Sequence, residues 1–398
     1  MAGIFAGLRV IDAASYVAAP SAATILGDFG AEVIKLEPPG GDPYRALATM
    51  PGQPRGDTNY PWVLDNRGKR GLVLDLKRPE GQAVLHRLIP TTDVFVTNAV
   101  PRLRAGLGIA PERLAALNPR LVYAALTAYG ETGPEADKTG FDATAYWARS
   151  GLMDLVRADA GAPPARSVAG MGDHPAGLAL YGAIVTALYR RERTGQGGLV
   201  HASLLDTGLW SNGFMVQAAL DGARFTPRPP REAAPNALVN LYRAGCGCWF
   251  LLALLNEARQ WPALLRLLGN PAWGEEPRFA TQALRREHAG ALIPLLDAAF
   301  AGRGLAEWRP LLDAAGLTFD AVATVQDAAA AEQPRATGAI RPHPAGGWTV
   351  DSPLHIAGEA KVPPAPPPAP GAATEAILAE QGFTPAEIQG LRAAGILG

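Results

Sequence analysis

Residues 8–37 set the tightest limit on what this chain folds into. Leu8-Arg9-Val10-Ile11-Asp12 is a short apolar strand, residues 18–29 have helical composition after Pro20, and Glu32-Val33-Ile34-Lys35-Leu36-Glu37 is a second strand. The run Pro38-Pro39-Gly40-Gly41-Asp42-Pro43 closes it. Strand, helix and strand within about thirty residues make a βαβ unit, whose strands lie parallel with a right-handed crossover. The alternation continues with a strand at 71–76 (GLVLDL), a helix at 79–88, a strand at 93–97 (DVFVT), a helix at 111–117 and a strand at 121–126 (LVYAAL). The expected fold is α/β, a doubly wound parallel sheet. No GxGxxG follows the first strand and no P-loop pattern occurs, which argues against NAD or ATP as the ligand.

At 398 residues the chain is long enough for a large core and a second domain. Hydrophobic residues at 48% and charged residues at 18% are a globular composition, and a net charge of −1 offers nothing to nucleic acid or to an anionic membrane. No apolar run reaches the length of a membrane span and the N-terminus lacks a basic signal-peptide start, so a cytoplasmic protein is expected. Cys246 and Cys248, in Gly-Cys-Gly-Cys-Trp, are too close for a good bridge, and no zinc set surrounds them, so no metal is expected. Composition shifts at 225–235, rich in Pro and Arg. Beyond it a hairpin pattern at 238–255, turning near Gly245 and Gly247, precedes helical stretches at 260–268, 282–300 and 306–315. Residues 326–371 are loop-rich and end in a Pro/Ala run at 363–370, a stiff spacer. Residues from about 236 to 325 read as a candidate second domain.

Residues 168–194 place a glycine-flanked acid before a long helical pattern. The acid is Asp173, in Gly-Met-Gly-Asp-His-Pro, and Pro175 stands in the first turn of the helix. Leu178, Tyr181, Val185 and Leu188 form one apolar stripe, and Gly195 follows as a stop. A helix start favours an ionised carboxylate, and the neighbouring glycines leave room for a ligand. On local sequence alone, Asp173 reads as an N-cap.

Several motifs in order change that reading. Gly7-Leu8-Arg9-Val10-Ile11-Asp12, Leu26-Gly27-Asp28-Phe29-Gly30-Ala31-Glu32-Val33-Ile34-Lys35-Leu36-Glu37-Pro38-Pro39, Asn66-Arg67-Gly68-Lys69-Arg70 and Leu74-Asp75-Leu76-Lys77 are four of them. Tyr129-Gly130-Glu131-Thr132-Gly133-Pro134, Gly140-Phe141-Asp142 and Ser150-Gly151-Leu152-Met153 follow. Together they resemble the class III CoA-transferase family, the formyl-CoA transferase and carnitine CoA-transferase group, over nearly the whole chain. The resemblance implies a Rossmann-like large domain of 1–205 plus 372–398, a linker at 206–229, a smaller α+β domain at 230–325, a linker at 326–371, and an interlocked homodimer. It puts the family's nucleophilic aspartate on Asp173 and implies CoA contacts at Val17, Ala18, Leu74, Lys77 and Asn98. A basic residue that the family places before the Leu107-Gly108 step falls on Arg102 or Arg104, of which Arg104 is the candidate. Coenzyme A is then a co-substrate and no resident cofactor is implied; the partners are an acyl-CoA and a small carboxylic acid.

Family behaviour implies that Asp173 attacks the acyl-CoA to give an anhydride, that CoA returns to form an aspartyl-CoA thioester, and that the acceptor acid reverses the steps. A carboxylate nucleophile needs no general base. Backbone N–H groups at Gly170, Gly172 and before Asp142 are the oxyanion candidates, and Asp142 either orients the site or caps a helix at 143–149. His174 is set aside as pointing away along its helix. The sequence departs from the family where Ser15-Tyr16-Val17 replaces a His-Val-Gln-like triplet, where no polyglycine lid occurs, and in the order Thr194-Gly195-Gln196-Gly197-Gly198. Two alternatives are a 2-methylacyl-CoA racemase on the same fold, disfavoured because Phe141 stands where the racemases have a proton-moving histidine, and a CoA-binding protein without catalysis.

Overall fold

A computed structural model describes residues 3–343 and 346–398. The chain folds into two compact units. The larger comprises Met1–Leu155, Arg166–Gly222 and Gln333–Gly398, and the smaller Val156–Ala165 and Ala223–Glu332.

The larger unit is built on six strands: β1 (Arg9–Asp12), β2 (Glu32–Glu37), β3 (Arg70–Val73), β4 (Val94–Thr97), β5 (Val122–Thr127) and β6 (Gly198–Ser203). All pair parallel, in the order β3-β2-β1-β4-β5-β6. The chain runs outward from β1 to β3, returns, and runs outward again from β4 to β6, which is the doubly wound arrangement. Both faces of β1–β5 are covered, so these strands read as nearly unbroken apolar runs, while the edge strand β6 keeps Leu199 and His201 exposed. Side chains still alternate. Val10, Val94, Val96, Val122 and Ala124 go to one face, against the helices Ala18–Asp28 and Asp173–Thr194. Ile11, Phe95, Tyr123 and Ala125 go to the other, under the helix Pro79–Leu88 and the C-terminal residues Ile377, Leu378, Ile396 and Leu397.

The helix Asp173–Thr194 ends at Gly195, whose φ of 77° is the left-handed C-cap that glycine adopts without penalty. Its buried positions include Leu180, Tyr181, Ile184 and Leu188, while Leu178 and Val185 of the expected stripe are only half-buried. The buried face is rotated because the helix touches the helix Ala18–Asp28 on one flank and β5 and β6 on another. Gly177 makes the helix–helix approach possible. A Cβ there would lie 2.0 Å from Ser21 Oγ and 2.5 Å from the Ala18 carbonyl oxygen.

Residues beyond Asp206 continue as helix to Leu220, in Leu204–Ser211 and Gly213–Leu220. The Pro/Ala run does not hang free. Ala365 accepts from the Gly68 N–H (3.0 Å), and Pro368 accepts from Arg45 (3.0 Å) and from Trp62 Nε1 (3.3 Å). A Pro-rich extended backbone leaves its carbonyls unpaired, and here donors of the larger unit take them.

In the smaller unit β7 (Val239–Arg243) and β8 (Trp249–Ala253) form an antiparallel hairpin, and β9 (Phe319–Ala321) joins β8. Its core is aromatic, with Phe250 edge-on to Phe300 at 4.9 Å. Cys246 and Cys248 are free, exposed thiols in the hairpin turn. Among the described residues no single helix is long and apolar enough to cross a membrane, and no cluster of three His, Cys, Asp or Glu side chains could hold a metal ion.

Candidate active site

In a doubly wound sheet the loops after the two central strands diverge, and a crevice opens at the carboxyl ends of those strands. A cavity of about 560 Å³ lies there. Tyr16, Val17 and Ala18 reach it from the β1 loop, Asn98 and Val100 from the β4 loop, and Leu126 and Thr127 from β5. Asp142 and Asp173 line it as well.

The β1 loop is held under strain. Tyr16 has φ 64°, the one non-glycine with positive φ among the described residues. Such a conformation costs about 1–3 kcal/mol and persists only where neighbours over-determine it. Two do so. Asn98 clamps Ser15 from both sides, accepting from its N–H at 3.0 Å and donating to its carbonyl at 2.9 Å. Asp42 accepts from the Tyr16 N–H at 3.3 Å. Beneath the loop lies a fully buried charge cluster. Lys35 of β2 reaches Asp42 at 3.0 Å and Asp12 at 3.7 Å, and also donates to the Ala14 carbonyl. Lys69 meets Asp12 at 2.8 Å, the Pro20 carbonyl at 2.9 Å and Asn66 at 3.1 Å. Burial alone would raise the Asp12 carboxyl, but the two lysines outweigh it and hold it below the usual range. Burial pulls Lys69 down to about 8. Removing one member of such a cluster leaves an uncompensated buried charge, at about 3–5 kcal/mol.

Asp173 is the first residue of its helix, and no side chain caps the preceding Gly172. The helix start does not win here. Burial is the largest influence on Asp173, the Asp142 carboxylate adds to it, and together they push the pKa up to about 7 against the opposing charge of His174. Asp142 accepts from the adjacent Ala143 N–H (2.7 Å) and from the Gly172 N–H (3.3 Å). Asp142 is the first residue of the short, wide-turned helix Asp142–Ala148, and its carboxylate tethers the backbone just before Asp173. The Gly172 N–H is thus engaged by a carboxylate. Gly172 itself is required, because a Cβ there would sit 2.5 Å from the Tyr146 ring.

Of the expected CoA contacts, Val17, Ala18 and Asn98 come together with Asp142 and Asp173. Leu74, Lys77 and Arg104 do not line this cavity. Leu74 is fully buried in the core on the far face of the sheet, and Lys77 is exposed just before the helix Pro79–Leu88. Arg104 is buried and engaged, forked onto Glu131 at 2.5 and 2.7 Å and donating to the Ala99 carbonyl at 2.8 Å. Phe141, 60% exposed, stands edge-on to Tyr16 at 5.7 Å on the cavity wall. No His or Cys lines the cavity among the described residues.

The family model for CoA-transferase family III matches residues 5–374. The chain belongs to CoA-transferase family III. As a CoA-transferase it is an enzyme with CoA as co-substrate. It is 34% identical over 323 residues to (R)-2-hydroxy-4-methylpentanoate CoA-transferase of Clostridioides difficile, covering 81% of this chain and 80% of that one. To the succinyl-CoA–L-malate CoA-transferase beta subunit of Chloroflexus aurantiacus it is 40% identical over 296 residues, 71% of this chain and 69% of that one. Among solved structures, a CAIB/BAIF family protein from Brucella suis superposes with a TM-score of 0.83 at 28% identity, covering 96% of this CoA-transferase and 100% of that chain.

Sequence reasoning missed the surroundings of Asp173. His174 Nε2 lies 2.9 Å from Asp65 Oδ1, and the Tyr44 hydroxyl donates to Asp65 Oδ2 at 2.5 Å. Asp65 is 109 residues from His174, and no local pattern points from one to the other.

Proposed function

We propose that this CoA-transferase moves CoA from an acyl-CoA thioester to a free carboxylic acid through covalent intermediates on Asp173. The observation that carries the reading is a half-buried carboxylate at the crevice of the sheet, at an uncapped helix start, with no histidine or cysteine lining the same cavity among the described residues. A carboxylate oxygen of Asp173 attacks the thioester carbonyl, the C–S bond breaks, and CoA thiolate leaves a mixed anhydride. The thiolate then attacks the Asp173 carbonyl carbon, releasing the donor acid and leaving an aspartyl-CoA thioester. The acceptor carboxylate attacks that thioester, and the returning thiolate takes the acceptor acyl group, freeing Asp173. No net proton moves, so no general base is required. Val17, Ala18 and Asn98 support the thioester end of CoA; Arg104 drops out of that role.

The acceptor we favour is a small hydroxy acid with an apolar side chain. Leu47, Met50, Val100, Phe141 and Leu204 line the cavity, and its one cation among the described residues, Lys138, is paired with Glu135 at 2.6 Å. A dicarboxylate would leave its second charge poorly met. We further infer a homodimer, supported by Trp210 and Phe214 (each 85% exposed) and Leu220 (76%) on neighbouring helices. Light scattering that finds a monomer would remove it.

The test of the mechanism is transfer by Asp173→Ala and Asp173→Asn together with trapping in the wild type. Both variants should lose transfer by several orders of magnitude while keeping the fold. Mass spectrometry should place a CoA adduct on the peptide containing Asp173. A folded Asp173→Ala protein that still transfers CoA at an appreciable rate ends the proposal.

A further inference from the structure

Asp173 and His174 are consecutive residues that face different spaces. Asp173 lines the crevice cavity, whereas His174 lines a second cavity of about 480 Å³ on the other side of the helix start. The imidazole is 44% exposed but anchored. Its Nε2 is held by Asp65 at 2.9 Å, and Asp65 is in turn fixed by the Tyr44 hydroxyl and is nearly inaccessible to solvent. On its other edge the ring lies against Gly170, where a Cβ would fall 3.4 Å from Cε1 and 3.5 Å from Nδ1. Gly170 has φ +82° and lines the crevice cavity. The loop that carries the candidate nucleophile thus lies against one edge of a ring that Asp65 anchors at the other.

We propose that His174, fixed by Asp65 and Tyr44, is a positioning residue that supplies the positive charge keeping Asp173 in its reactive, ionised form beside Asp142. This rests on the reading of Asp173 as nucleophile and adds the group that controls it. The charged and titratable groups facing the imidazole come from several elements. Asp65 faces it from the helix Tyr60–Asn66, and Tyr44 and Asp42 lie behind Asp65. Asp173 is on its own helix, Asp142 approaches through Gly172, and Arg67 and Asp351 share the second cavity. Carboxylates dominate that set. Burial draws the His174 proton off, yet the Asp65 hydrogen bond and the charges of Asp65 and Asp173 outweigh it and raise the imidazole above its usual value. A cation next to a carboxylate favours ionisation of that carboxylate, by about one pH unit for a partly screened pair.

The experiment is the pH profile of kcat/KM for CoA transfer, from about pH 5.5 to 9, in wild type, His174→Gln and His174→Lys. Gln keeps a hydrogen bond to Asp65 without the charge, and Lys restores the charge. The rising limb in His174→Gln should move up by about 0.5–1 pH unit, a loss of about 3–10-fold near pH 6.5, with the plateau at high pH kept within about threefold. His174→Lys should bring the limb back. A His174→Gln limb that superimposes on the wild type overturns the proposal. So does an activity lowered equally at every pH without rescue by Lys, which is what a purely structural role gives. Should the variants fail to fold, NMR titration of the His174 ring in the wild type decides: a midpoint above 6.5 supports the proposal, and one at or below 6.5 overturns it. Asp173→Asn run alongside separates the two readings, since transfer that survives it removes the nucleophile whatever His174 does.

Discussion

Asp173→Asn should make the protein more stable, and increasingly so as pH rises from about 4 to above 7. Burial and Asp142 raise its pKa from 3.8 to about 7. The folded state therefore holds that proton more tightly than the unfolded chain does. Stability from this group is fully present below about pH 3.8, drains away as pH rises towards 7, and is absent above. The shift of roughly 3 units, at about 1.4 kcal/mol per unit, sets a ceiling of about 4 kcal/mol. Discounting for the half-buried position leaves about 1–3 kcal/mol. Asparagine never ionises and escapes the cost. Near pH 8 the variant should melt a few degrees above wild type. Near pH 4.5 the linkage relation leaves about a quarter of that gain. Differential scanning fluorimetry at both pH values, with transfer measured on the same samples, reads both sides of the trade: higher Tm and no activity. A gain equal at the two pH values, or larger at the lower one, would refute the claim that the folded protein resists ionising this carboxyl.

Three further outcomes follow from other parts of the structure. Gly177→Ala should cost about 1–3 kcal/mol by overpacking, because the new methyl meets Ser21 Oγ and the Ala18 carbonyl, and urea unfolding should show a lower midpoint. Arg104→Lys should lower Tm through loss of the forked contact with Glu131, while the KM for acyl-CoA in the folded variant stays within about twofold, since Arg104 does not line the cavity. In heavy water with a 2-methylacyl-CoA, deuterium should enter next to the carbonyl slowly at best, because Phe141 cannot move a proton; rapid exchange seen by mass spectrometry would bring the racemase reading forward.

The alternation of strands and helices was legible because a parallel sheet covered on both faces needs short apolar strands, and each of 32–37, 93–97 and 121–126 coincides with a strand of the sheet to within a residue or so. The helix from Asp173 was legible through Pro175 and Gly195, whose backbone preferences are local. What was not legible depends on residues far apart in the chain. The local pattern reads Asp173 as ionised by its helix, since dipole and capping are local, whereas the groups opposing ionisation are burial and an aspartate about thirty residues away. Lys35 lies in an apolar strand and gives no local sign of meeting Asp12 and Asp42. Nothing near Arg104 in sequence shows that it is engaged, because its partner Glu131 is 27 residues further on. The stiffness of the 363–370 run was foreseeable from its prolines, but not the donors at Gly68, Arg45 and Trp62 that tie it down.

Ile377, Leu378, Ile396 and Leu397 cover the same face of the sheet as Leu72 of β3 and Ile34 of β2. During synthesis all six strands have been made once Ser203 is added, yet that flank waits for another stretch of roughly 190 residues. At about 5–20 residues per second the ribosome needs about 10–40 s to supply it. For that interval the nascent chain carries an open apolar surface on a sheet that is otherwise ready to close, the kind of surface that makes a folding intermediate prone to aggregate. A premature stop between about codons 377 and 396 would leave part of that surface bare for good, so such a truncation should be cleared or aggregate even though every residue of the crevice has been translated.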